Sequence, residues 1–118
     1  MNELTEALTI KDKIYFIRGI PVMYDSDLAG YYNVETKNLN RAMKRNLDRF
    51  PESFCFQVTR DELLSSRCQN GTLNTKSRGS NIKYLPYVYS EQGVAMMAGV
   101  LHSETAVRIS IAIINVQF

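Results

Sequence analysis

The sequence has one histidine, two cysteines, three prolines and no long apolar run, and each shortage removes a class of function. His102 has no cysteine near it, and Cys55 and Cys68 have neither metal-ligand spacing nor the density of a disulfide framework. No metal site and no cofactor are therefore expected. The start, MNELTEALTIKDK, lacks the cationic leader and apolar core of a signal peptide, which points to a cytoplasmic setting with both thiols free. The longest apolar run, Gly93 to Leu101, falls well short of the ~20 residues a membrane helix needs. There is no internal repeat and no low-complexity segment. At 118 residues, 45% apolar and 22% charged, the chain is neither collagen-like nor disordered, and it fits one globular domain with its own core.

Charge of one sign is also scarce overall, with 14 basic and 12 acidic residues and a net charge of +2. Its distribution is uneven. Thr36 to Lys83 holds ten basic residues against four acidic ones, and the remainder is negative, an asymmetry that suits a polyanion on one side.

Within that segment one stretch organises the rest: Asp25 to Phe50, DSDLAGYYNVETKNLNRAMKRNLDRF. Leu28, Ala29 and Tyr32 form the inner face of a first short helix, and Asn33, whose side chain tolerates positive φ, ends it. Val34 is expected to plug the turn. A second helix is expected from about Thr36, with Leu39, Ala42, Met43, Leu47 and Phe50 recurring at steps of three and four along one face. Ala29 is small enough for two helices to cross closely over a tight turn. At about 100° per residue, Lys37, Arg41 and Lys44 point away from Leu39, Arg45 lies beside them, and Asn38 and Asn40 flank them. Cations and amides are the groups that neutralise phosphates and read base edges in a major groove. A solvated helix face is the bland alternative, but face, turn and charge agree on DNA.

Around this pair the chain reads in order. Residues 1–12 are a polar, flexible lead-in, and 13–118 form a single domain. Ile14 to Tyr24 is a hairpin broken at Gly19, with Pro21 keeping the second strand to an edge. Asp25, Ser26 and Asp27 are N-cap candidates, a better account of the two aspartates than metal ligation. Phe50-Pro51 stops the helical pattern. Phe54, Phe56 and Val58 then alternate with Cys55 and Gln57 as a half-buried strand, and Thr59 with Glu62 makes a capping box for a short helix through about Arg67. Cys68 to Lys83 is a long loop whose Lys76, Arg78 and Lys83 suit an arm laid along DNA. Tyr84 to Tyr89 is a strand pairing with Phe54 to Val58, with Pro86 forcing it to an edge or a bulge. Ser90 caps a helix over Glu91 to Leu101, with Val94, Met97, Ala98 and Leu101 inward. The last element, from Ser103, fits strand and helix periodicities alike and is read as a helix with more aliphatic surface than one contact covers. The expected class is α+β: a small domain containing a helix-turn-helix, with a short antiparallel sheet and two C-terminal helices.

With these residues in view, the chain resembles the ORF-six-N domain of phage and prophage regulators, akin to the KilA-N and Bro-N domains. The likeness spans about Ile14 to Val116 and is carried by IRGIPVMYDSDLAGYYNVETKNLNRAMKRNLDRFPESFCFQVT and by YLPYVYSEQGVAMMAGVLHSETAVRISIAI. It implies a DNA-binding N-terminal domain of a longer protein whose variable C-terminal part acts in regulation, often as an antirepressor. It also implies a helical last segment. Asn33 stands where similar domains often have glycine, and both residues accept the left-handed conformation.

The expected partner is double-stranded DNA, bound by a transcriptional regulator or antirepressor domain. The contacts expected are Lys44, Arg45 and Arg49 on phosphates, Lys37, Asn38, Asn40 and Arg41 near base edges, Thr36 at the start of the helix, and Lys76, Arg78 and Lys83 from the loop. An alternative is a module that sequesters a repressor protein through Val107, Ile111 and Ile114, and the same surplus suits a homodimer through the C-terminal segment. Catalysis is not expected, since no histidine, cysteine or carboxylate grouping suggests a reaction centre.

Overall fold

A computed structural model describes residues 9–69 and 84–116, with side chains over 9–66 and 84–116. Among the described residues the fold is α+β. It begins with a hairpin of β1 (Ile14–Ile17) and β2 (Ile20–Tyr24). Arg18 and Gly19 form its two-residue turn, both at positive φ, as the type I′ turn that matches strand twist requires. Two helices follow, α1 (Asp25–Tyr32) and α2 (Thr36–Lys44), then a 3₁₀ turn (Leu47–Arg49). After β3 (Cys55–Gln57) and α3 (Arg60–Gln69) come β4 (Tyr87–Ser90), α4 (Glu91–Leu101) and α5 (Glu104–Asn115).

The four strands form an antiparallel sheet in the order β1-β2-β4-β3. The expected pairing of the two later strands holds, with Cys55 opposite Tyr89 and Gln57 opposite Tyr87. Neither proline confines its strand to an edge. Pro21 pairs with Phe16 next to the hairpin's closing pair, whereas β2 meets β4 only over Val22 to Tyr24, so the ladder on that side asks for no N–H from Pro21. Pro86 precedes β4 and contributes its carbonyl, which accepts from the Val58 N–H at 3.1 Å.

The sheet is covered on both faces. One face carries Met23, Cys55 and Tyr89 against Leu28, Ala29, Tyr32, Leu39, Met43, Val94, Met97, Ala106, Ile109 and Ile113 of the helices. The other carries Tyr15, Ile17, Val22, Tyr24, Phe56 and Val88 against Leu63 of α3. Burial on both sides explains why β3 does not alternate as expected: Cys55 is buried along with Phe56, because α4 and α5 cover the face its side chain meets. That burial pushes the Cys55 thiol up to about 12, so it has little thiolate character. Ile10, in the expected lead-in, is fully buried in the helix-side core, which places residues 9–12 in the folded unit.

Local chemistry sets most helix ends. Thr59 and Glu62 make the reciprocal capping box: the Glu62 N–H donates to Thr59 Oγ1 at 3.1 Å and the Thr59 N–H to Glu62 Oε1 at 2.8 Å. Glu62 also accepts from Arg18 Nε at 2.7 Å, tying α3 to the hairpin, and this bond holds the Glu62 carboxyl below the ordinary glutamate range. Ser90 and Ser103 cap α4 and α5 as expected, with Ser103 Oγ accepting from the Ala106 N–H at 3.0 Å. The ambiguous last segment is therefore a helix. Helix α1 departs from expectation, because it begins at Asp25 directly off β2 with no side-chain cap. The Asp25 carboxylate instead turns inward.

Candidate nucleic-acid interface

The connection between α1 and α2 is Asn33–Glu35. Asn33 takes the left-handed conformation (φ 64°, ψ 43°), its N–H bonds to the Gly30 carbonyl at 3.2 Å, and the Val34 N–H reaches back to the Ala29 carbonyl at 3.0 Å. These two bonds make a Schellman closure, which satisfies the last carbonyls of α1 while turning the chain sharply. Val34 does not plug the turn; it is exposed, while Leu39 and Met43 are the buried residues that follow it.

Helix α2 starts at Thr36, as the sequence suggests, and seats Leu39 and Met43 in the core. It stops at Lys44, earlier than the apolar spacing implies. The Asn46 side chain donates to the Ala42 carbonyl at 2.9 Å, and the chain tightens into the 3₁₀ turn. This change of pitch rotates Leu47 out of the inner stripe, leaving it 62% exposed, while Phe50 still returns to the core against Tyr89.

The outer face of α2 carries Lys37, Asn38, Arg41 and Lys44, all exposed, and exposed Arg45 follows at its end. Thr36 is half-buried at its start, and Arg49 is exposed on the 3₁₀ turn. Lys44 Nζ sits 5.3 Å from the centre of the Tyr87 ring, a cation–π contact that holds one cation beside β4. Asn38 Nδ2 reaches Glu35 Oε1 at 3.4 Å. Lys76, Arg78 and Lys83 lie outside the described residues.

Asn40 is not on this outer face. It is 4% exposed and forms the centre of a buried polar network. Its Nδ2 donates to Asp25 Oδ2 at 2.7 Å and to the Tyr84 hydroxyl at 3.0 Å, while its Oδ1 accepts from the Tyr89 hydroxyl at 2.9 Å. Asp25 also accepts from the Ser26 N–H at 2.7 Å and the Tyr87 N–H at 3.1 Å. One amide thus joins the start of α1, the middle of α2 and strand β4. Buried polar groups are stable only when so satisfied. On a helical wheel Asn40 stands about 100° from Leu39, at the border of the two faces. What buries it is Tyr84 and β4, which arrive more than forty residues later and have no trace in the local pattern.

Tyr84 is the residue that the sequence reading of this surface missed. It is 53% exposed, and with Thr36, Lys37, Asn40, Arg41, Lys44 and Arg45 it lines a cleft of about 580 Å³ along α2. Partial burial, and next the nearby Asp25 carboxylate, raise its phenol above the ordinary range. The aromatic density of YLPYVY is the only hint the sequence offers. The cleft therefore brings four cations of α2 together with the Tyr84 ring, next to the buried Asn40 network. It suits an elongated anion. Among the described residues, no grouping of histidine, cysteine and carboxylate has the makeup of a metal site, and no helix is long and apolar enough to cross a membrane.

Residues 12–100, most of the chain, match the family model of the ORF6N domain. No curated protein and no solved structure matches the chain.

Proposed function

The chain belongs to the ORF6N domain family, and on that footing we propose that this phage-type regulatory domain binds duplex DNA through the outer face of α2. The single observation carrying the reading is the cleft of about 580 Å³ in which Lys37, Arg41, Lys44 and Arg45 converge. Four cations gathered on one cleft beside hydrogen-bonding amides favour a polyanion over a face left to solvent. Lys44, Arg45 and Arg49 take phosphates, Arg41 reaches both the backbone and the base edges, and Lys37 and Asn38 approach base edges. Asn40 supports them from beneath by fixing α2 to β4. The role is binding without catalysis, as part of transcriptional regulation or antirepression in a cytoplasmic setting.

The test is the salt dependence of duplex binding. Five neutralised phosphates give a fall in log K of about 4 to 5 per tenfold rise in salt. Binding that ignores salt, or its absence at low salt, ends this reading.

A second reading is favoured by α5, where Val107 and Ile111 are 46% and 55% exposed and line a shallow depression with His102, Ser103, Glu104 and Arg108. Its occupant on this reading is a second copy of the chain. Glu104 and Arg108, beside Val107, carry opposite signs, so a second copy of the same face meets no net like charge. Such a pair presents two α2 helices to one duplex. Sedimentation at micromolar concentration separates the cases: a dimer dissociated by Ile111→Asp supports it, and a monomer in the parent chain removes it.

A further inference from the structure

We propose that Tyr84 is a DNA-contacting residue whose ring packs against a backbone deoxyribose at the rim of the cleft that the cations of α2 line; the inference rests on the duplex-binding reading above. Three observations place it there. The side chain is 53% exposed although it belongs to the rim of a cleft that four cations line. Its hydroxyl is held from below by Asn40 Nδ2 at 3.0 Å, and Asn40 is itself fixed by Asp25 and by Tyr89. The hydrogen bond therefore holds a half-exposed ring face at the rim of the cleft. Residues lining a cationic cleft only to bind phosphate have no use for such a face, but a sugar-phosphate strand does, since its deoxyribose edges are apolar between the charges.

The same geometry decides between a duplex and a single strand. Platforms for single strands stack successive bases on several aromatic rings. Among the described residues, Tyr84 is the one aromatic residue lining this cleft, and the nearby Tyr87 ring already meets Lys44 Nζ at 5.3 Å. One ring beside a row of cations fits one sugar of a duplex strand, with the flanking phosphates reaching Arg41, Lys44 and Arg45. Because the ring is pinned before DNA arrives, little side-chain freedom is lost on binding.

The contact has a signature that a phosphate ligand lacks. Removing a cation lowers the salt slope by about one unit, since one fewer counterion is released. Removing an apolar contact lowers affinity equally at every salt concentration. The experiment titrates a short labelled duplex of mixed sequence with the full chain over a salt series, comparing the parent, Tyr84→Ala, Tyr84→Phe and Arg41→Ala. Tyr84→Ala is expected to lose about tenfold in affinity at unchanged slope, and Tyr84→Phe, which keeps the ring but loses its anchor, about threefold. Arg41→Ala is expected to flatten the slope. Parent-like binding by Tyr84→Ala overturns the proposal, and so does a loss accompanied by a flatter slope. If thermal unfolding shows Tyr84→Ala to be unfolded, Tyr84→Phe decides: a loss at constant slope supports the contact and parent-like binding overturns it. A parent chain that binds no duplex refutes the broader reading, which the Arg41→Ala arm and the parent slope report separately from Tyr84.

Discussion

Helices α1 and α2 meet across Asn33, and α4 and α5 meet across His102. At both junctions a residue other than glycine takes the left-handed conformation, with φ of 64° and 55°. The first closure uses two backbone bonds back to Ala29 and Gly30, and the second a single bond from the His102 N–H to the Ala98 carbonyl at 3.3 Å. The two pairs then diverge. The first adds to its apolar packing on the sheet a polar anchor, the Asp25–Asn40–Tyr89 network, and turns cations outward. The second is held mainly by aliphatic packing of Val94, Met97, Ile109 and Ile113 and leaves Val107 and Ile111 outward. The Tyr32 hydroxyl ties the two pairs together, bonding Ser110 Oγ at 2.7 Å and the Val94 carbonyl at 3.4 Å, in a site dry enough to push the Tyr32 phenol up to about 12. Similar turns therefore carry two surfaces of different outward chemistry.

The comparison breaks first at Gly93. A Cβ there would overlap the Phe54 carbonyl oxygen, a backbone atom that cannot step aside. Helix α4 lies directly on the strand's approach, so Gly93→Ala should cost about 3 kcal/mol, as overpacking against fixed structure does. Asn40→Ala should come next, at about 2–3 kcal/mol, because it removes one of three bonds to buried Asp25 and the acceptor of the buried Tyr89 hydroxyl. Denaturant unfolding with the slope held common reads both. A cost under about 0.5 kcal/mol for Asn40→Ala would mean the polar network does not anchor α2.

These two positions also show what the sequence discloses. Ser90, Ser103, Asn33 and the Thr59–Glu62 box act on residues within four or five positions, so their chemistry is local and readable. The α+β class follows from the same local patterns. Asn40, Tyr84 and the central place of β2 and β4 depend on pairing between distant segments, and no helical wheel contains that information. Leu47 fails for a related reason: periodicity assumes a constant pitch, and the Asn46 side chain ends α2 before the pattern does. Gly93 reads as a weak point in a helix, whereas the fold uses it for close approach.

The closures themselves offer a smaller test. Histidine pays for the left-handed conformation more than asparagine does, whose short amide is at ease there. His102→Gly should stabilise the domain by roughly 0.5–1 kcal/mol, and Asn33→Gly by less. Equal gains at the two sites would show that the Schellman bonds at Asn33, and not the side chain, set its tolerance.

The smallest expected effect on stability is the most informative about function. Arg41 and Arg45 are exposed, and neither fills the core. Replacing both with alanine should change unfolding free energy by no more than about 0.5 kcal/mol, the usual range for surface positions. The same double variant should flatten the salt dependence of duplex binding by about two units, one for each phosphate released. Ile111→Asp on α5 supplies the mirror image: unchanged stability and unchanged salt slope per chain, with any self-association lost. If the arginine variant unfolds, its side chains pack the α2 face and the cleft is a structural seam. If it binds duplex with the parent slope, phosphates sit elsewhere on the molecule. A flattened slope in a fully stable variant leaves contact between α2 and the DNA backbone as the direct explanation, because the charges removed touch nothing that holds the fold.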